Sequence, residues 1–322
     1  MHFLSGLMRL KILIIIITLA VGAVSCSKLS YDSAQEPYAL TVAPQCAITK
    51  AAVEGTSIPE DYTIFLSSYF NNETVGESSA NYFTGEEFRH LGDKWTADPV
   101  IYWPMGGKLD FLAIAAPSSL MGINMSWYPQ NVSRGVEVAV SDGCCLESEI
   151  MYSAASSQGV SDRGVGMNFS HSQAWLQFRL SEYESLTTRI DSIVINNAYL
   201  GGKLRIDNGI YLSADWDFHG YFRKSHTLPL SRNLVLDGTQ KTIDILLPEQ
   251  PACDITVYYT QKEPSEESWN NYTRKTSFTQ KANPDPWFAG TRTVYTMTVH
   301  KNLSVQARVH EWNEDNKQII ID

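Results

Sequence analysis

The sequence predicts an all-β protein, and three observations carry that prediction. Apolar residues recur with period two in many short runs, as they do where one face of a strand is buried and the other is wet. Each run is closed by Gly, Pro, Asn or Ser, the residues that turns require. No stretch of ten or more residues holds a capped apolar stripe of helical spacing, and Glu147 to Ser156 and Glu182 to Thr188 offer only a turn or two of helix each. Many short strands with frequent turns indicate sandwiches or barrels rather than a parallel α/β sheet. Of 322 residues 43% are hydrophobic and 19% charged, too apolar for a disordered chain and enough for two modest domains.

The first element is a targeting segment. Arg9 and Lys11 precede the apolar run Ile12 to Val24, whose 13 residues fall short of the roughly 18 to 20 that a membrane-crossing helix needs. It reads as an export signal. The run ends in Ala23-Val24-Ser25-Cys26, which resembles a bacterial lipobox: small residues at the cut site, then a Cys whose thiol takes a diacylglyceryl group before cleavage. Residues 1–25 are thus expected to be removed and Cys26 to carry lipid. Cleavage takes Arg9 and Lys11 from the 25 basic residues and leaves all 35 acidic ones, so the net charge moves from −10 to −12. With no basic cluster to offset that charge, a phosphate backbone is repelled, which excludes nucleic acid as a partner.

Residues 26–36 are small and polar, as a flexible tether is. Tyr38, Leu40 and Val42 then share one face of a strand that Pro44 is expected to end. The same alternation recurs at Tyr62 to Leu66, Leu109 to Ala113 and Val136 to Val140. It resumes from Met167 at Trp175 to Leu180, Ile190 to Ile195, Leu204 to Ile206, Ile243 to Leu247 and Ile255 to Tyr259. Tyr295, Met297 and Val299 alternate with polar neighbours, Lys301-Asn302 turns the chain, and Val305, Ala307 and Val309 alternate again. The polar stretch Ser156 to Gly164 is the expected boundary, which divides the chain into domains 37–160 and 161–322.

Motifs for chemistry are missing. No nucleophile elbow, zincin, Walker-type or dinucleotide glycine pattern occurs. Met105-Gly106-Gly107-Lys108 and Leu200-Gly201-Gly202-Lys203 lack the upstream Gly and the following Ser or Thr of a phosphate loop and read as β-turns. Asp215 to Gly220 imitates the start of a calcium loop, but His219 stands where an oxygen ligand belongs and His226 where Glu does. The seven His residues are scattered without ligand spacing, so neither a metal nor another cofactor is expected. Trp269 with Tyr272, or Trp287 with Phe288, offers either a sugar-stacking platform or ordinary packing. Besides Cys26 the cysteines are Cys46, Cys144, Cys145 and Cys253, and adjacent Cys144 and Cys145 make a poor pair with each other.

Several segments in order resemble the fimbrillin family, the building blocks of type V pili in Gram-negative anaerobes. They are the lipobox at Cys26, the strand Tyr38 to Ala43 followed by Ala47-Ile48-Thr49-Lys50-Ala51, Tyr102-Trp103-Pro104, and Leu109-Asp110-Phe111 with its trailing Pro117. Met167 to His171 is similar to the Phe-x-His segment that opens the family's second domain. Leu247 to Gln250, Ala289-Gly290 to Tyr295, Val309 and Trp312 are similar to its C-terminal half. The resemblance spans essentially the whole chain after the signal.

It implies two tandem transthyretin-like β-sandwiches of Greek-key type, export as a lipoprotein to the outer membrane, no enzymatic activity, and polymerisation with other pilus subunits by strand exchange. In that scheme a protease removes the first strand, here Tyr38, Leu40 and Val42, and a neighbour's C-terminal arm fills the groove. Donor residues here are Val305, Ala307 and Val309, or Ile319 and Ile321; either segment serves equally as a strand of its own domain. Where polymerising subunits carry Arg at the processing site, this chain has Lys50 before Ala51, so either a protease of other specificity acts or the subunit keeps its first strand and lipid. A pilus subunit would also meet a host or bacterial surface glycan or protein; a rival reading is a non-polymerising surface lipoprotein whose sandwiches bind glycans through exposed aromatics, and a secreted glycosidase is the third, which needs an acidic pair in a deep cleft.

Overall fold

A computed structural model describes residues 38–46, 58–71, 81–119, 122–128, 134–144, 146–182, 187–209, 211–230, 234–236, 238–262, 269, 273–278, 286–299 and 303–311. Among the described residues every regular element is a strand. In chain order they begin β1 (Thr41–Cys46), β2 (Tyr62–Phe70), β3 (Asn81–Leu91), β4 (Lys94–Ala97), β5 (Leu109–Pro117), β6 (Ile123–Trp127), β7 (Gly135–Val140), β8 (Met151–Gln158), β9 (Val165–His171) and β10 (Gln173–Glu182). They continue β11 (Thr187–Ala198), β12 (Gly202–Asn208), β13 (Leu212–Asp217), β14 (Lys224–Thr227), β15 (Leu234–Leu236), β16 (Lys241–Pro248), β17 (Asp254–Lys262), β18 (Thr273–Phe278), β19 (Thr291–Val299) and β20 (Leu303–Glu311).

Seven strands close into a barrel in the order β1-β4-β3-β2-β5-β8-β9, with β9 returning parallel to β1. Alternation places its lining: Val165, Met167 and Phe169 of β9 point inward, and so do Met151 and Ala155 of β8. The turn of helix expected over Glu147 to Ser156 is therefore replaced by strand from Met151 onward, because period-two burial of Met151, Ser153 and Ala155 against β5 outweighs the helical preference of isolated residues. β1 likewise runs past Pro44 to Cys46. Its neighbour β4 pairs only with Thr41 and Val42, so at Pro44 one side of the strand has no ladder to break.

A second sheet, β13-β12-β7-β6, lies on the outside of the barrel wall. Val136, Val138 and Val140 of β7 and Leu204 and Ile206 of β12 pack against Leu112 and Ile114 of β5 and Tyr69 of β2. β5 is consequently buried on both faces, Leu109, Phe111, Ala113 and Ala115 facing the barrel interior and Leu112 and Ile114 facing the sheet. The sheet joins segments that are distant in the chain, since β7 pairs with β12 over Val140↔Gly202 to Gly135↔Asp207.

Leu200 to Lys203 is not a free turn but the entry into β12 against β7. A Cβ on Gly201 would stand 2.5 Å from the Val140 carbonyl oxygen and 2.8 Å from the Ser141 carbonyl carbon, both backbone atoms that cannot swing aside. Gly106 in the other Gly-Gly pair has open space around it. Gly201→Ala is expected to destabilise by about 1–3 kcal/mol, the range of overpacking changes, and Gly106→Ala to leave the denaturation midpoint unchanged; chemical denaturation of the two variants checks the contrast.

The remaining strands form a sandwich. One sheet runs β16-β10-β19-β20 and the other β14-β11-β17-β18, with β15 pairing β11. Leu176, Phe178, Leu180, Tyr295 and Met297 from the first sheet meet Ile190, Ile193, Ile195, Ile255, Val257 and Tyr259 from the second. Phe178 and Tyr295 stack with centroids 5.3 Å apart.

Candidate functional site

The strand the sequence singles out sits in the barrel wall. Leu40 and Val42 are buried in the barrel core, while Tyr38 is exposed. The Leu40 amide donates to the Ile101 carbonyl at 2.8 Å, and Ala39 bridges to Tyr102. Beyond that, β1 is held antiparallel to β4 at two positions and parallel to β9 at five, from Val42↔Val165 to Cys46↔Phe169. A groove of about 350 Å³ opens beside it at the start of β4, lined by Thr41 to Pro44 with His90, Asp93 to Trp95, Asp162 and Arg163. Cys46 ends the strand with its thiol 3.9 Å from the Met151 sulfur, and burial pushes that thiol up to about 12, out of the reactive range. Cys26, Lys50, Ala51, Ile319 and Ile321 lie outside the described residues.

Val305, Ala307 and Val309 lie on β20, opposite Met297, Tyr295 and Thr293 of β19. β20 is an edge strand of the sandwich, and Val309 is exposed on it. The fold therefore seats these residues in a different sheet from β1.

Two motif residues carry weight that sequence reasoning left unassigned. Asp110, in the middle of Leu109-Asp110-Phe111, is buried at a register shift between β5 and β8. Its Oδ1 accepts from Asn71 Nδ2 at 2.9 Å and from the Ser157 amide at 2.7 Å, and its Oδ2 accepts from Arg134 Nη1 at 2.5 Å. Ser157 has a left-handed backbone with φ 58°, uncommon for a residue with a side chain, so this carboxylate pins a strained position.

His171, which ends Met167 to His171, meets Glu149 through Nδ1 and Oε1, and both side chains are buried. The pair sits where the three sheet systems join. The Glu149 amide donates to the Tyr62 hydroxyl of β2, the Ile150 amide to Gln173 Oε1 of β10, and the Trp216 indole of β13 to the Ser172 carbonyl at 2.6 Å. The Leu246 amide of β16 donates to the Leu146 carbonyl at 2.8 Å.

Burial pushes the Glu149 carboxyl up, a shift that the hydrogen bond and the charge of His171 only partly oppose, and its Oε2 has no hydrogen-bond partner. The native state then holds this proton more tightly than the unfolded chain, so it binds more protons between the two values and stability falls as pH rises from about 4.5 through the native value. Glu149→Gln has no such proton to lose. The melting temperature of the native chain minus that of the variant is expected to decline as pH rises from 4 and to level off above the native value; a flat difference in melts from pH 4 to 7 contradicts it.

The other chemical candidates resolve into structure. Asp217 binds Arg205 Nη2 at 2.6 Å and accepts from the His219 amide, a turn contact rather than a calcium loop. Trp287 is buried, with its indole donating to the Tyr295 hydroxyl at 2.9 Å, so it offers no face to a sugar. Trp269 has Arg189 and Lys262 over its ring, and Tyr272 lies outside the described residues. Cys46 and Cys253 are free thiols, and among the described residues no group of His, Cys, Asp or Glu is placed to hold a metal ion.

Comparison with known proteins gives the chain its family. No curated protein sequence matches it. The fold is similar to that of a candidate cell adhesion protein from Bacteroides uniformis, at TM-score 0.51 and 14% identity over 87% of this chain and 99% of that one. A candidate cell adhesion protein from Bacteroides ovatus is similar at TM-score 0.51 and 10% identity, with the same coverage of 87% and 99%. A fimbrial protein from Bacteroides vulgatus follows at TM-score 0.49 and 13% identity over 86% and 99%. The family model described as fimbrillin-like matches residues 49–312, most of the chain and all three sheet systems. The chain belongs to the fimbrillin-like family.

Proposed function

We propose that the chain is exported as a lipoprotein acylated at Cys26 and serves as a structural or adhesive subunit of a surface pilus, joined to other subunits by β-strand exchange. Family membership supports a pilus-related surface protein with no enzymatic role. The same reading takes the body as two tandem transthyretin-like units of Greek-key type.

The observation that carries strand exchange is β1 itself. With Leu40 just ahead of it, it brings Val42 and Cys46 to the barrel core, pairs with β4 at two positions and with β9 at five, and so fits the part of a strand whose removal would uncover a lined, unpaired groove. β20 supports the complementary half, being a paired edge strand near the C-terminus with an alternating apolar set.

The deciding experiment is the intact mass and N-terminal residue of the protein recovered from its native cell surface. A chain beginning at Ala51 without lipid supports a polymerising subunit, and Lys50→Ala then blocks processing. An acylated Cys26 on the full mature chain assigns the protein to an anchor or to a surface lipoprotein that does not polymerise.

A further inference from the structure

We propose that the end of the barrel through which the chain enters rests on the surface of a lipid bilayer. The strand directions define that end. It holds the start of β1, the end of β2, the start of β5, the end of β8 and the start of β9, as the pairings Phe70↔Leu109, Leu109↔Gln158 and Val42↔Val165 require. The turn of the β12–β13 hairpin is drawn to the same end, because the Asn208 amide donates to the Arg134 carbonyl and Arg134 binds Asp110 at the start of β5.

This end gathers five large apolar side chains, Val100, Tyr102, Met105, Val160 and Tyr211, each from 44% to fully exposed. Single exposed apolar residues need no explanation, but a group on one end marks an interaction surface. Leu91 and Phe222 stand at the opposite end, where the sandwich joins through Ile150 and Ser172. Nothing among the described residues covers the entry end.

Its chemistry fits a bilayer. Tyr102 and Tyr211 present an apolar ring with a polar tip, the side-chain type that settles at headgroup depth. Met105 stands fully exposed before Gly106 and Gly107, around which no other atoms crowd. Lys108 follows, with an apolar stem and an ammonium group suited to lipid phosphate. The connections 98–108 and 159–164 carry two exposed cations, Lys108 and Arg163, and two exposed carboxylates, Asp98 and Asp162, so they lack the acidic excess of a chain whose net charge is −10.

The tether decides for lipid over a protein partner, and that step rests on acylation at Cys26. Residues 27–38 join Cys26 to Ala39, a span of at most about 45 Å when extended. A lipid on Cys26 therefore keeps this end within that distance of the membrane, nearer than the sandwich is required to be.

The test uses the mature chain from residue 26 with Cys26→Ser, which cannot be acylated, mixed with vesicles of phosphatidylethanolamine and phosphatidylglycerol. The protein is expected to float with the vesicles. Met105→Asp with Tyr211→Asp lowers the bound fraction at least tenfold at an unchanged melting temperature, and Phe222→Asp does not. Absence of flotation, or equal loss with Phe222→Asp, overturns the proposal. So does self-association of the chain that the Met105 and Tyr211 pair abolishes in the absence of vesicle binding, because it assigns the surface to a second copy. The mass of the Cys26 peptide from native cells tests acylation separately: an unmodified Cys26 with a floating body removes the lipoprotein reading and upholds the surface, and an acylated Cys26 with a body that does not float does the reverse.

Discussion

A chain that begins at Ala51 loses the cooperative melting of its barrel and regains it when a peptide covering residues 38–46 is added. Leu40 and Val42 are buried in the barrel core, and each contributes about 1.5–3 kcal/mol in leaving water. Removing them with Cys46 also strips β9 of five paired positions and opens the ring between β9 and β4. The apolar loss alone, about 3–6 kcal/mol, rivals the 5–15 kcal/mol that separates folded from unfolded domains. A peptide present at about a hundred times its Kd returns about 2.7 kcal/mol by mass action. Near-ultraviolet circular dichroism reports the barrel through Trp95 and Trp103, which line its core. A peptide with Leu40→Asp and Val42→Asp is expected to restore nothing, and a truncated chain that melts like the full one contradicts the role given to β1.

Asp110→Ala is the point substitution expected to cost most. It leaves the Arg134 guanidinium without its carboxylate, the Ser157 amide without an acceptor in its left-handed conformation, and the Asn71 side chain without its acceptor after β2. Removing one partner of a buried ion pair costs about 3–5 kcal/mol, and the partly exposed side chain of Arg134 places this case near the lower figure. At about 2–4 °C per kcal/mol for a protein of this size, calorimetry should show a fall in melting temperature of roughly 6–12 °C. Asp110→Asn keeps an oxygen for Ser157 and Asn71 and is expected to lose less.

The strands with clean alternation were legible because one face of each meets a core: β9, β10, β16 and β19 show their period in the sequence. β3 was not, and its physical reason is Gly85. That residue takes φ 67° beside a register shift against β2, so Phe83 and Phe88 reach the same core at an odd spacing that strict alternation forbids. β8 escaped notice because its inward residues include Ser153 and Ala155, too small and polar to stand out. The pairing of β7 with β12 joins residues more than sixty positions apart and leaves no local trace.

The same limit governs the sites. Asp110 and His171 stood out as motif residues, yet their partners Arg134, Ser157 and Glu149 are brought to them only by the fold. No spacing in the chain ties Glu149 to a histidine 22 residues on.

The parallel ladder between β1 and β9 has a mechanical meaning. A pull on the chain ahead of Ala39, opposed by the rest of the body, runs along β1, so the five register positions from Val42 to Cys46 share the load in shear and must give way together. A pull across the strand opens the two β4 positions first and then peels the others one at a time. The element that separates most easily sideways is thus the one best suited to hold against tension along its own axis.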